Sequence, residues 1–458
     1  MSNSVVVFSG GTATNEIVHV FNSLSADVSY VLPISDNGGS TSEIIRVIGG
    51  PAIGDIRSRL TRLIPSENEP LKRLLSFRLE PDPVVAKAQW NEIVEGTHPL
   101  WKDIDSATKE ILRAFLIHVH VELLKRSKLT ATSNTNKKFR FELANVGNLF
   151  LTGIRLFIGS LDSAIELFKK LTGIDNSIQV MPCISTNFSY HIGALLINGL
   201  IITGQSQISH PSPVEVYPPP INKTRPPTPT HENQEYFSHV DTRGDDIHSI
   251  GSALSSDDEE LGNIPQYTHP ELKKSQLHFQ KTDGIEPLLS PIERIFYISP
   301  HGQEICPVAS TRVINSITNA NTLIYSIGSL MTSIVPILVL KGIGKAIAHD
   351  YAPDKKRILL LNGCEDRETF GLAAIDYIDT IIKSAHYSLE MSHQDHDHLK
   401  WCNFVTHLVY MENPRIAVDE ELLEKKNIKC IKIKRSADGE DRYDTDHLQE
   451  MLNKIAAS

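Results

Sequence analysis

Apolar residues alternate along this chain between two patterns, short continuous runs and longer stretches at helical spacing. Ser4–Phe8 is an almost unbroken apolar run, as a strand covered on both faces requires, and it passes through Ser9-Gly10-Gly11-Thr12 into Ile17, Val18, Phe21 and Leu24 at helical spacing. A second run, Val28–Ile34, leads directly into Ser35-Asp36-Asn37-Gly38-Gly39-Ser40, and Gly54-Asp55-Ile56-Arg57 opens a further helix through Leu60 and Leu63. The pattern predicts βαβ winding with glycine turns at the strand-to-helix junctions.

The same alternation continues. The spacing of Ile104, Ile111, Leu112, Phe115, Leu116, Val119 and Leu123 predicts a helix over 103–124, and Ser127–Lys138 reads as a polar loop. Asn145-Val146-Gly147-Asn148 starts an apolar helix through Phe157, and Leu161–Leu171 is the next, closed by Gly173. Val180–Ile184 reads as strand and Gly199–Gly204 as the start of a hairpin. Beyond the prolines described next, strands are predicted at 293–298, 322–325, 357–362, 408–410 and 428–433. Helices are predicted at 311–317, from the Gly328-Ser329 turn to about His349, and at 369–384.

Between these halves the composition shifts. Prolines crowd Ser209–Thr230 and an acidic run fills Asp257–Glu260, leaving too little apolar surface to offset the entropy of ordering. Residues 206–288 are therefore read as a disordered insertion, far longer than the usual loop of about 4–6 residues. It divides one α/β body into an N-terminal part, 1–205, and a C-terminal part, 289–458. Ser255 and Ser256 before the acids, and Thr228 and Ser212 before prolines, are candidate phosphorylation sites.

Composition narrows the function. Hydrophobic residues at 40% and charged residues at 22% support a folded core, and a net charge of -10 with scattered Lys and Arg speaks against nucleic-acid binding. Any phosphate site must be local. The five cysteines are far apart, with no C-x-x-C pair, and read as reduced, mostly buried thiols. Met1-Ser2-Asn3-Ser4 carries no basic n-region, so the chain is expected in the cytosol. The apolar stretch 323–348 is interrupted by Ser326, Ser329, Ser333, Pro336 and Lys341, whereas a membrane span needs about 20 largely uninterrupted apolar residues.

Candidate chemistry collects at the glycine turns. Bare amides and the helix dipole converge there, so Gly10, Gly11 and Thr12, then Gly328 and Ser329, suit an anion, with an ordinary tight turn as the alternative for the first and helix capping for the second. Asp36 ends a buried strand before Asn37, Gly38, Gly39 and Ser40, a setting for a metal ion or ribose beside a phosphate, with a helix-capping role as its alternative. Gly54, Asp55 and Arg57 add a carboxylate and a guanidinium able to clamp a diphosphate or form a surface ion pair. Asn145, Gly147 and Asn148 stand at a helix start, where amides can meet a base or sugar. His386, His393, His396 and His398 are read as a solvated polar loop, and His118 and His120 as structural.

Taken in order, these turns resemble the CofD/YvcK-like family, the phospholactate transferases of deazaflavin cofactor synthesis and the YvcK group called gluconeogenesis factors. Asn362 with Glu368-Thr369 extends the match, and Arg73–Arg78, Gly204–Ile208 and Glu293–Pro300 are similar to the YvcK group. The resemblance implies a Rossmann-like three-layer parallel sheet whose glycine turns bind a nucleoside diphosphate or UDP-sugar. The chain departs from the family at Ala13-Thr14, where another glycine is usual, at Ser326-Ile327 in place of Gly-Pro, and at Asn37 in place of a second acid. On this reading the protein is a nucleotide-sugar sensor. The alternative is a transferase in which Asp36 holds Mg2+ and Arg57 stabilises developing charge. A dehydrogenase is disfavoured by the missing G-x-G-x-x-G. A homo-oligomer is left open.

Overall fold

Strands form where the β-branched runs fall, and their faces are buried on both sides. The computed structural model describes residues 4–35, 38–128, 138–209, 287–348, 354–390, 400–438 and 441–457. The strands are β1 Ser4–Phe8, β2 Asp27–Leu32, β3 Ile178–Pro182, β4 His191–Leu196, β5 Ile201–Thr203, β6 Ile292–Ile298, β7 Glu304–Ile305, β8 Thr322–Tyr325, β9 Lys356–Leu360, β10 His407–Met411 and β11 Lys429–Ile433.

Seven of them make one parallel sheet in the order β3-β2-β1-β8-β9-β10-β11, with Val7 opposite both Tyr30 and Ile324. The chain winds outward from β1 to β3, returns to place β8 beside β1, and then winds the other way to β11. Connections therefore diverge between β1 and β8, and a crevice opens beyond their C-terminal ends. Helices cover both faces, Val18–Leu24 packing on Thr445–Ala457, and Val146–Ile158 lying between Ser106–Lys128 and Leu161–Thr172.

A second sheet, β5-β4-β6-β7, is antiparallel. It grows from the predicted hairpin, but its pairing of β4 with β6 was not foreseen. It sits close to the crevice because the Tyr297 hydroxyl donates to the Pro336 carbonyl at 2.9 Å and the short helix Gln205–Ser209 touches both β4 and the turn after β8. The described chain thus stays helical and buried through Ile208 and Ser209 and resumes at 287, with Leu288 packed on the core, while residues 210–286 of the predicted insertion, with Ser212, Thr228, Ser255 and Ser256, lie outside the described residues.

Three expectations are corrected. The helix foreseen from Gly328 to His349 is broken into a wide turn, Leu330–Ile334, a helix Val335–Leu338 and a second helix Ile343–Ala348. Pro336 supplies no amide to continue the ladder, and Gly342 takes a left-handed φ of 98°. The helix foreseen at 369–384 spans Ala374–Glu390, because the Asp366 carboxylate takes the amides of Glu368 and Thr369 and the Thr369 hydroxyl, folding these residues into a turn. His386 consequently lies in that helix, 5.1 Å from the Phe404 ring, while His393, His396 and His398 lie outside the described residues. Of the five cysteines, all free, just Cys183 is buried, since the others sit on edge elements and loops.

Candidate functional site

The crevice between β1 and β8 gathers most of the glycine turns. Gly10 and Gly11 leave β1, and the helix Gly54–Leu63 starts against them: a Cβ on Gly11 would lie 2.7 Å from the Asp55 Cα, and one on Gly10 would lie 2.6 Å from the Ser333 hydroxyl. The Asp55 carboxylate lies against both glycines. Thr12 follows with its side chain exposed and making no cap.

On the β8 side, Gly328 adopts φ 124°, a conformation that side chains rarely reach. Its amide donates to Asn362 Oδ1 at 2.9 Å while Asn362 Nδ2 donates back to its carbonyl at 2.8 Å. Two of the three departures from the family pattern meet here. Thr14 donates to the Ser326 hydroxyl at 2.9 Å or the Ile327 carbonyl at 3.0 Å, and Ala13 stands 3.6 Å from where a Gly328 Cβ would be. Backbone freedom lost in both turns is thus replaced by direct contact between them.

Ser329 takes the helix-capping role that is its alternative reading, its hydroxyl accepting the Thr332 amide at 3.1 Å. It donates to Glu368, a buried carboxylate that also takes the Ser209 hydroxyl, the Thr332 hydroxyl at 2.8 Å and the Thr332 amide at 3.2 Å. Burial first, and then the charge of Asp366, push the Glu368 carboxyl up to about 7. The family match had included Glu368, but its role was missed.

The N-terminal turns carry a second group. Ser40 caps nothing for a ligand; its hydroxyl accepts the Asn145 amide at 3.0 Å. Asn145 itself donates to the Ser76 carbonyl at 3.0 Å and caps the helix Val146–Ile158 through the Asn148 amide, and Asn148 Oδ1 accepts from Arg57 Nε at 2.9 Å. Both asparagines thus make bonds within the protein, Asn145 through its side chain and Asn148 through its Oδ1. Gly147 is needed for close approach, a Cβ there running into the Leu75 carbonyl and lying 3.0 Å from Arg57 Cδ. Burial and nearby Arg78 lower the Arg57 guanidinium to about 10. Gly54 packs against the Thr41 hydroxyl, and Gly39 adopts φ 54° with open space around it. Gly38 stands just before this helix as its N-terminal boundary. Asp36 and Asn37 lie outside the described residues.

Arg59 was overlooked. At 0% exposure it reaches from the helix Gly54–Leu63 beneath the first turn, donating to the Gly10 carbonyl at 3.0 Å and the Ser9 hydroxyl at 3.2 Å, with its guanidinium 4.7 Å from the Tyr30 ring centre. The sequence did carry a signal, since Arg59 shares the inward stripe of Ile56, Leu60 and Leu63, where a cation has no solvent to face.

His120 accepts from Trp90 at 2.8 Å and His118 meets the edge of Phe157, so both serve the helical layer as expected. Among the described residues there is no group of three or more His, Cys, Asp or Glu arranged to hold a metal, and no helix long and apolar enough to cross a membrane.

Sheet order, switch point and glycine turns define a Rossmann-like α/β protein. The family model described as 2-phospho-L-lactate transferase CofD matches residues 5–457, and the chain belongs to that family. It is 44% identical over 466 residues to a Saccharomyces cerevisiae protein described as uncharacterized protein YNL011C, covering 99% of each chain. In fold it is similar to protein BH3568 from Bacillus halodurans, at 17% identity and a TM-score of 0.57 over 99% of both chains. A second crystal structure of BH3568, described as a member of the UPF0052 family, matches at 16% identity and the same TM-score, covering 98% of this chain and 99% of that one.

Proposed function

We propose that this chain binds a nucleoside diphosphate, as a UDP-sugar or related nucleotide-sugar, at the C-terminal ends of β1 and β8, and that it acts as a YvcK-type regulator of carbon metabolism. The observation that carries the reading is the pairing of two glycine turns on adjacent central strands, with Gly328 held open by Asn362 and Gly10–Gly11 backed by Arg59. Turns of this kind offer amides to phosphate oxygens at the point where an α/β sheet leaves a crevice. The wide turn Leu330–Ile334 has amides of the sort that face anions, although Glu368 already takes that of Thr332. Asn37 in place of a second acid favours binding over transfer.

One observation supports a second reading, a CofD-like transferase. The Asp55 carboxylate lies against Gly10 and Gly11, where a diphosphate would bring like charge, and a bridging Mg2+ would relieve that repulsion. Asp55, together with Asp36, would hold such an ion. A single described carboxylate fits an ion completed by ligand oxygens rather than an all-protein cage. The ion would neutralise the diphosphate, while Arg57 would stabilise charge developing during attack by an acceptor hydroxyl.

Titrating the full chain with a panel of nucleoside diphosphates and nucleotide-sugars, with and without Mg2+, tests both. Saturable binding of a UDP-sugar that is recovered intact supports the regulator. Consumption of the nucleotide in the presence of an acceptor supports the transferase, and absence of binding by every nucleotide contradicts both.

A further inference from the structure

From the middle of the helix Gly39–Val47, about 6 Å along the axis from its first glycine at 1.5 Å per residue, extends a second polar constellation. The Glu43 carboxylate, with its side chain 0% exposed, takes Arg46 through Nε at 2.8 Å and Nη2 at 2.5 Å, the Arg140 amide at 2.7 Å and Arg140 Nε at 3.4 Å. Arg46 also donates to the Lys138 carbonyl at 2.8 Å. One buried carboxylate therefore fixes two guanidinium groups and the chain that carries them. The Arg140 side chain remains 45% exposed, so part of its guanidinium still faces outward.

Arg46 and Arg140 line a cavity of about 330 Å³ with Lys87, Lys138, Phe139, Phe141 and Glu142, while the buried Glu43 carboxylate holds the two arginines without lining it. Neither Lys87 nor Lys138 has a carboxylate within ion-pair distance among the described residues. Four cations face the carboxylates of Glu43 and Glu142, an excess of two positive charges in a protein whose net charge is -10. The aromatic wall is rigid, Phe141 stacking on buried Trp90 at 5.8 Å and meeting the face of Phe139 at 5.0 Å.

The geometry points to a site for a small phosphomonoester with a compact apolar or aromatic body, separate from the glycine turns. The phosphate would face Lys87, Lys138 and the outward side of Arg140, where one guanidinium fixed by Glu43 and two ammonium groups suit a dianion. The organic part would lie on the partly exposed Phe141 ring, an area that inorganic phosphate would leave unused. A polynucleotide is poorly served, because the cationic surface is confined to one cavity while the protein as a whole repels polyanions.

Calorimetry of the full chain with phenyl phosphate, inorganic phosphate and benzyl alcohol tests this. Phenyl phosphate should bind at least about tenfold more tightly than inorganic phosphate, corresponding to the burial of one ring face, and benzyl alcohol should not bind. Lys87→Ala/Lys138→Ala, two exposed positions, should weaken phenyl phosphate about tenfold or more with an unchanged melting temperature. Asn362→Ala should leave it unchanged. Equal affinity for both phosphates, wild-type affinity in the lysine variant, or loss of phenyl phosphate binding in Asn362→Ala would each overturn the proposal.

Discussion

Asn362 and Gly328 hold each other by two reciprocal hydrogen bonds, amide to Oδ1 at 2.9 Å and Nδ2 to carbonyl at 2.8 Å, so a side chain at the end of β9 fixes the backbone of the turn that follows β8. Asn362→Ala removes both bonds and should destabilise the protein by about 1–3 kcal/mol. Nucleotide affinity should fall roughly tenfold as the turn loses its fixed geometry, by the same free-energy scale. Urea denaturation and calorimetry measure the two losses separately.

The glycines divide by cause. Gly11→Val would drive a side chain into Asp55 backbone and should lower both melting temperature and affinity, whereas Gly39→Ala meets open space and should cost about 1–2 kcal/mol for the left-handed backbone alone. Gly328→Val faces a φ of 124° and should cost about 1–3 kcal/mol in strain, with loss of binding. Binding retained in Gly328→Val with merely a lower melting temperature would make that turn structural.

Arg59 is bonded to Ser9 and Gly10 and lies over Tyr30 with no exposure. Arg59→Ala should destabilise by about 3–5 kcal/mol, because it leaves the Gly10 carbonyl without its donor and opens a cavity. Arg59→Lys should recover part of that loss, since one nitrogen, Nη2, makes both bonds and an ammonium can make them too, while the guanidinium's contact with the Tyr30 ring is lost. Guanidinium denaturation of the two variants checks this, and a lysine variant no more stable than Arg59→Ala would contradict the role given to those two bonds.

Glu368 makes stability depend on pH. Its carboxyl is raised in the fold, so its contribution is fully present below its ordinary value of 4.5 and is lost as pH rises through about 7. At roughly 1.4 kcal/mol per pH unit the loss is at most about 3 kcal/mol. Glu368→Gln should flatten that decline, and melting curves between pH 5 and pH 8 for both proteins give the comparison.

Strands were legible where burial on both faces leaves an unbroken run: Ser4–Phe8 and Thr322–Tyr325 emerge with the expected bounds. Helices with clear caps, such as Leu161–Thr172 behind Ser160 and before Gly173, were legible too. What failed depends on distant parts of the chain. The pairing of β4 with β6 crosses the proline-rich stretch, and no local pattern encodes it. Thr369 lies in a run that reads as helical, yet its amide is taken by Asp366. Asn145 and Asn148 stand at a helix start as expected, but their partners, Ser76 and Arg57, are brought in by other helices. The Glu368 cluster joins Ser209, Ser329 and Thr332, residues 36 to 159 positions away, and nothing in the polar run Glu365-Asp366-Arg367-Glu368 marks which acid is buried.

The central claim is that the paired turns after β1 and β8 bind the diphosphate of a nucleotide. Isothermal calorimetry of the full chain with UDP-glucose, repeated on Gly328→Val and on Lys87→Ala/Lys138→Ala, tests it most directly. Saturable one-site binding in wild type and the lysine variant, lost in folded Gly328→Val and accompanied by a stabilisation of about 2.7 kcal/mol at a hundredfold excess over Kd, is the predicted result. Wild-type affinity in Gly328→Val would contradict the claim.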